Sequence, residues 1–248
     1  MANNNENKKI KTCNILKVNI AVTNMKETVQ YITEHIQVLK GKYICVSNVH
    51  TTVMAYEDEH YRTVQNAAAL ALPDGKPLSV VSRKRGFKEA QRVTGPDLML
   101  ELFHKPFRHY FYGGKEETLH ILEKKLREKY PNIQIAGMYS PPFRPLSEEE
   151  DKEVVDNINA SGADILWVGL GAPKQEKWMY AHQNQVNTLM IGVGAGFDYH
   201  AGIIKRAPVW MQKCSLEWLY RLFQDPKRLW KRYVSTNGRF LWLLLRGK

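Results

Sequence analysis

Short apolar blocks alternate with longer amphipathic stretches through the first two-thirds of the chain. Residues 14–22 alternate apolar and polar, which predicts one strand. Thr23 or Asn24 stands where a helix cap belongs, before a helical pattern that runs to about Leu39. Tyr43–Ser47 and Leu70–Leu72 are short buried-type strands, with a helix over Thr51–Ala67 between them. After the Pro73-Asp74-Gly75 break, Lys76–Lys84 and Pro96–His104 read as helices and His109–Tyr112 as a strand. A charged helix over Glu116–Lys129 and a strand over Ile133–Gly137 follow. Ser147 and Glu150 then form a capping box that opens a helix to Ala160. Asp164–Val168 and Leu189–Gly192 are the last strands, with a helix to about Gln183 between them.

Strands alternating with helices predict an α/β fold: a mainly parallel sheet with helices on both faces. The pattern changes after Gly202. No further strand is expected, Asp225-Pro226 is a helix start, and four of the six tryptophans (Trp210, Trp218, Trp230, Trp242) lie here. Residues 1–202 are therefore read as the core and residues 203–248 as a C-terminal helical appendage.

Charge sharpens that division. From Lys205 onward there are eleven Lys and Arg against two acids, Glu217 and Asp225, so most of the chain's +11 is concentrated there. Such a block calls for a polyanion: a phosphate substrate, anionic lipid or nucleic acid. Arg232, Arg239 and Arg246 recur every seven residues, with Arg228 one turn before Arg232, while Trp230, Val234 and Leu241 lie on another side. That arrangement suits a membrane interface, or a basic helix docked on its own domain. No nucleic-acid module is present, so nucleic acid is not an expected partner. No window approaches the roughly 20 apolar residues of a spanning helix, and the polar start MANNNENKKIK reads as a frayed tail, not a signal peptide. Cys13, Cys45 and Cys214 make no metal spacing, and free thiols in a reducing compartment are expected. The expected location is cytoplasmic and peripheral to the inner membrane face. A homo-oligomer stays open.

Three glycine turns follow strands: Gly113-Gly114, Gly169-Leu170-Gly171 and Gly194-Ala195-Gly196. Beyond the carboxyl ends of parallel strands, such turns let backbone N–H groups approach a phosphate, although tight strand-to-helix turns use glycine anyway. None is a Walker A sequence or a full dinucleotide fingerprint, which weakens kinase, ATPase and NAD(P)-oxidoreductase readings. Asp74 just past a buried strand suits a general base, while Pro-Asp-Gly is also a common turn. Asn48 and Arg92 at other junctions suit sugar or phosphate contacts, or capping and pairing, with Asp97 a partner for Arg92. Gln175 and Glu176 in the first turn of a helix suit ribose or sugar hydroxyls, or simple acid placement at a helix N-terminus. Asp198 either contacts a donor or orients the entry to the C-terminal segment.

Taken in order, Ser47-Asn-Val-His50, Leu72-Pro-Asp-Gly75, Arg92-Val-Thr-Gly-Pro-Asp-Leu98, Gly169-Leu-Gly-Ala-Pro-Lys-Gln-Glu176, Gly192-Val-Gly-Ala-Gly-Phe-Asp198, Arg206-Ala-Pro208 and Leu216-Glu-Trp-Leu-Tyr-Arg221 resemble the WecG/TagA/CpsF family of glycosyltransferases. The resemblance covers about residues 14–235. It implies a Rossmann-like core and inverting transfer without a metal or other cofactor. The implied donor is a nucleotide sugar, UDP-N-acetylmannosamine in the best-known members and others such as UDP-ManNAcA or UDP-glucose elsewhere. The implied acceptor is undecaprenyl-diphosphate-linked N-acetylglucosamine, for teichoic acid, capsule or exopolysaccharide. It puts Asp74 on the catalytic base, Asn48, Arg92 and Gln175 on pocket positions, and Arg221, Arg228 and Arg232 on the arginines that close over the donor diphosphate. Glycine-turn residues Gly113, Gly171 and Gly194, with Glu176 and Asp198, complete the expected substrate contacts. One departure stands out. The family often has Thr two residues before the Asn, and here that residue is Val46; Ser47, next along the strand, faces the other way. A non-enzymatic basic membrane binder is the alternative of another class.

Overall fold

The computed structural model describes residues 10–208, 210–211 and 216–247; the side chains of Arg228, Lys231 and Arg232 also lie outside what is described. The expectations for the N-terminal tail (residues 1–9), for Cys214 and for the arginine side chains at 228 and 232 fall there.

Eight strands form one sheet in the order β1-β2-β4-β3-β8-β7-β5-β6. They are β1 (Thr12–Ile15), β2 (Val18–Ala21), β3 (Tyr43–Ser47), β4 (Leu70–Pro73), β5 (Arg108–Gly113), β6 (Gln134–Tyr139), β7 (Ile165–Gly169) and β8 (Leu189–Gly192). Only the edge pair β1–β2 is antiparallel. The fold is α/β and Rossmann-like. Alternate strand residues bury to opposite faces. Tyr43, Cys45, Leu166 and Val168 join one core, and Ile44, Val46, Ile165 and Trp167 the other. Burial on both faces is why these strands read as continuous apolar runs.

Nine helices pack on that sheet: α1 (Met25–Leu39), α2 (Val49–Glu57), α3 (Glu59–Ala67), α4 (Lys76–Lys84), α5 (Gly95–Leu102), α6 (Glu116–Lys129), α7 (Glu148–Ala160), α8 (Lys174–Ala181) and α9 (Gly196–His200). The caps follow chemistry. The Asn24 side chain accepts the Glu27 N–H, and Ser147 with Glu150 makes the expected box.

Two expectations are corrected. Residues 14–22 are not one strand but a hairpin, turned at Leu16 and Lys17, both with positive φ. Leu16 is buried in the core, so packing holds a turn that neither Gly nor Asn announces. The helix expected over 51–67 is two, because Asp58 leaves helical geometry and its carboxylate caps α3 through the Tyr61 N–H.

After α9, the described residues contain no strand. Among the described residues α10 (Glu217–Gln224) and α11 (Pro226–Leu245) follow. α11 lies along α2, burying Leu229, Thr236, Phe240 and Leu243. Trp230, Val234, Leu241 and Leu245 form a second apolar stripe that faces outward, from 57% to 88% exposed. Arg239 and Arg246 both lie over the Trp242 ring, 4.6 and 3.9 Å from its centre. Among the described residues no helix is long and apolar enough to cross a membrane.

Candidate active site

Neighbouring parallel strands β3 and β4 send their chains in opposite directions: β3 leads to β4, and β4 leads to β5 on the far side of the sheet. Such a reversal opens a crevice beyond the strand ends. Asn48 and Asp74 stand at its mouth, and the Asp74 N–H donates to the Ser47 carbonyl (2.7 Å).

Asn48 is committed on one side. Its Oδ1 caps α2 by accepting from His50 and Thr51, at 3.0 and 3.2 Å. That leaves the amide N–H groups to face Asp74, whose carboxyl they hydrogen-bond. The loop before α5 delivers Arg92, as Val93 N–H reaches the Pro73 carbonyl at 2.9 Å. Burial pushes the Asp74 carboxyl up to about 6. Arg92, Arg221 and the Asn48 amide pull the other way, and the Glu217 carboxylate adds to the rise. A carboxyl so placed is ionised at neutral pH and basic enough to take a proton.

A closed ring of ions lies beside this carboxyl, sharing Arg92 and Glu217 with its surroundings. Arg92 Nη1 lies 2.6 Å from Glu217 and its Nη2 3.7 Å from Asp97. Arg206 pairs with Asp97 and lies 3.7 Å from Glu217. Asp97 also accepts from the Thr94 hydroxyl (2.7 Å). Burial alone would raise Asp97; the bonds from Arg206 and Thr94 and both guanidinium charges outweigh it and hold the carboxyl below its usual range. Arg221 reaches the site one helical turn after Glu217, its guanidinium 5.4 Å from the Tyr199 ring centre, with Arg206 5.9 Å from the same ring. Burial pushes the Tyr199 phenol up to about 12. A cavity of about 580 Å³ between α5, α6 and α9 shares Tyr199 and Arg206 with this cluster, but Asp74 does not line it.

The glycine turns behave otherwise than expected. Gln175 is buried, and its Oε1 accepts the N–H of both Gly171 (3.2 Å) and Gly194 (3.0 Å). Those two N–H groups are therefore taken and do not form a free phosphate cradle. Gln175 Nε2 donates to Glu176 (2.8 Å), whose own carboxyl is pushed up by burial. Both side chains are buried, and together they form a strut under the turns. Gly113 is needed for close approach: with φ +114, a Cβ there would lie 2.6 Å from the Gly169 backbone. Asp198 sits in α9, and its carbonyl accepts from Ile203 and Ile204, which starts the link to the C-terminal helices. Ser47 donates to Gln65 (2.6 Å) on the opposite face from Val46, so it supplies no hydroxyl in Val46's place. Among the described residues no group of three or more His, Cys, Asp or Glu side chains gathers in an arrangement that could hold a metal ion.

The model of the glycosyl transferase WecG/TagA/CpsF family matches residues 13–248, almost the whole chain. The chain belongs to this family. It is a glycosyltransferase. Three relatives bear the name N-acetylglucosaminyldiphosphoundecaprenol N-acetyl-beta-D-mannosaminyltransferase. The one from Bacillus subtilis (strain 168) is 33% identical over 86% of this chain and 83% of its own length. That from Bacillus spizizenii is 32% identical over 82% and 79%, and that from Staphylococcus aureus (strain MW2) 31% over 87% and 85%.

In this WecG/TagA/CpsF chain the resemblance put Asp74, Asn48, Arg92 and Arg221 on the site, and the fold brings those four together. It passed over Arg206, Tyr199 and Glu217. One signal was present for the last: Glu217 is one of two acids in a strongly basic segment.

Proposed function

We propose that the protein transfers N-acetylmannosamine from UDP-ManNAc to undecaprenyl-diphosphate-linked N-acetylglucosamine, with inversion, at the cytoplasmic face of the membrane. The observation that carries this reading is the Asp74 carboxyl, raised by burial and faced by Asn48, Arg92 and Arg221, in a family member whose relatives bear that activity in their names. Asp74 removes the proton from the acceptor hydroxyl as its oxygen attacks the anomeric carbon. The bond to the donor diphosphate breaks on the opposite face, and the nucleoside diphosphate departs with the electron pair. The guanidinium groups of Arg92, Arg206 and Arg221, already in place, offset the charge that develops there. Arginine charge at the site supports transfer without a metal.

The outward stripe of Trp230, Val234, Leu241 and Leu245, flanked by Arg239 and Arg246, supports seating α11 on an anionic bilayer where the lipid acceptor resides. The C-terminal helices then serve both the membrane and the diphosphate, and residues 203–248 act as an active-site closure on the core of residues 1–202. Teichoic acid, capsule or exopolysaccharide would be the polymer supplied.

The test is a donor screen with a synthetic lipid-diphosphate-N-acetylglucosamine acceptor, the product's anomeric configuration being read by NMR. A β-linked disaccharide from UDP-ManNAc is expected without added metal. Transfer only from another UDP-sugar would overturn the donor assignment, and an α-linked product would overturn inversion.

A further inference from the structure

The transfer step as drawn uses Asp74 and three arginines and leaves two carboxylates of the site, Asp97 and Glu217, without a task. Glu217 comes from α10, its side chain is 19% exposed, and it joins Arg92 to Arg206. With Asp97 it completes a ring of alternating charge built from three separate segments: the loop and first turn of α5, the link after α9, and α10. Asp97 is fixed at the start of α5 by Thr94, so that side of the ring belongs to the core. Glu217 is the member that arrives with the C-terminal helices. Without it, Arg92 keeps only Asp97, at 3.7 Å.

We propose that Glu217 is a positioning residue for the base: by bridging Arg92 and Arg206 it holds the Arg92 guanidinium beside Asp74 and sets Arg221, one turn further along α10, over the same carboxyl. Docking of the C-terminal helices and readiness of Asp74 are then one event. The charged and titratable groups around Asp74 are Arg92 from the loop before α5, Tyr199 from α9, and Glu217 and Arg221 from α10, with the Asn48 amide from α2. Within that set Glu217 is the neighbour whose anion makes Asp74 harder to ionise, and the two arginines act oppositely. Glu217 therefore does two separable things: its shape holds Arg92, and its charge tunes the base. This inference rests on the assignment of Asp74 as that base.

The experiment compares the full-length protein with Glu217→Gln and Glu217→Asp. Titration of the Asp74 carboxyl is followed by carbon-13 NMR without donor, and the acid limb of kcat/KM is measured with donor and acceptor. Gln keeps an acceptor for Arg92 but removes the charge. Its Asp74 titration and acid limb should both move to lower pH, and kcat should fall because the less basic carboxylate takes the proton less readily. Asp keeps the charge but is one methylene short, so kcat should fall while the titration stays near that of the unaltered protein. An Asp74 titration unmoved in the Gln variant overturns the proposal, even if activity drops, because Glu217 would then only dock a helix. Undiminished kcat in both variants overturns it too. A shifted Asp74 titration in a protein that transfers no sugar from any donor supports the hold of Glu217 on Asp74 and strikes only the transferase assignment.

Discussion

Gln175 in the core and Glu217 in the C-terminal helices each tie two distant segments together, and they do it with different chemistry. Gln175 is 3% exposed and uses neutral hydrogen bonds to hold the Gly171 and Gly194 turns. Glu217 is more open and uses ion pairs to Arg92 and Arg206. Removing a buried neutral strut strands backbone donors away from water, a cost that keeps such a contact permanently made. The Arg92 and Glu217 side chains stay 20% and 19% exposed, so water can take over both charges when the pair opens, and the contact can be made and released. The core half of the site is preformed; the C-terminal half is held by contacts suited to reversal.

The severest way to break that comparison is to remove the second half. Truncation after Gly202 deletes Arg206, Glu217 and Arg221 together with the helix lying on α2. Transfer should fall below detection while the remaining sheet still melts cooperatively by circular dichroism. Full activity of the truncated protein would show that the core needs no such closure.

Next in size is Asp74→Asn, which leaves both halves in place and removes the base. A positioned base contributes roughly 10²- to 10⁴-fold, and kcat should drop by that factor with donor binding largely kept. Near-normal turnover would sink the assignment. In the unaltered protein the pH profile has a definite sign. Asp74 must be ionised to accept a proton and its carboxyl sits at about 6, so kcat/KM should decline as pH falls through that value. Asp74→Asn should lack that limb.

The two halves were also unequally legible in the sequence. Strand and helix alternation in the core came from local signals: apolar runs buried on both faces, and caps such as Asn24 and Ser147. It failed where packing overrode local chemistry, as at the Leu16-Lys17 turn, and where a cap residue lay inside a helical pattern, as at Asp58. The glycine turns carry a related ambiguity. Their spacing signals a tight turn equally well whether the N–H groups face a ligand or, as here, a glutamine from the helix that follows. The ion ring was out of reach because Arg92 and Glu217 are 125 residues apart and no local pattern links them. What remained visible of the C-terminal half was its charge and its two-sided apolar content, without the division between the docked side and the outward one.

That outward side gives a smaller, more selective effect. Replacing Trp230 and Leu241 by Ser should weaken binding to anionic vesicles at least about 10-fold, since each large apolar side chain contributes roughly 1.5–3 kcal/mol when fully buried. Because both are about 60% exposed, thermal stability should hardly change. Unchanged vesicle binding would take the stripe out of the membrane reading, and a large loss of stability would place it in an internal contact instead.

The smallest effect distinguishes two of the ionic links between the halves. Arg239 on α11 meets Glu57 on α2 at 2.9 Å, but both side chains are close to half exposed, at 42% and 50%. Solvent and salt screen such a pair, which is worth about 0–1 kcal/mol. Arg239→Gln should therefore lower the melting temperature by no more than about 4 °C. It should also leave the Asp74 acid limb where it is, because Arg239 is not among the charges that act on that carboxyl. The buried face of α11, with Leu229, Phe240 and Leu243, would go on holding the helix to α2. If Arg239→Gln instead moved the acid limb as Glu217→Gln is expected to, any loosening of the C-terminal helices would reach the base. The special place of Glu217 would then dissolve into docking in general.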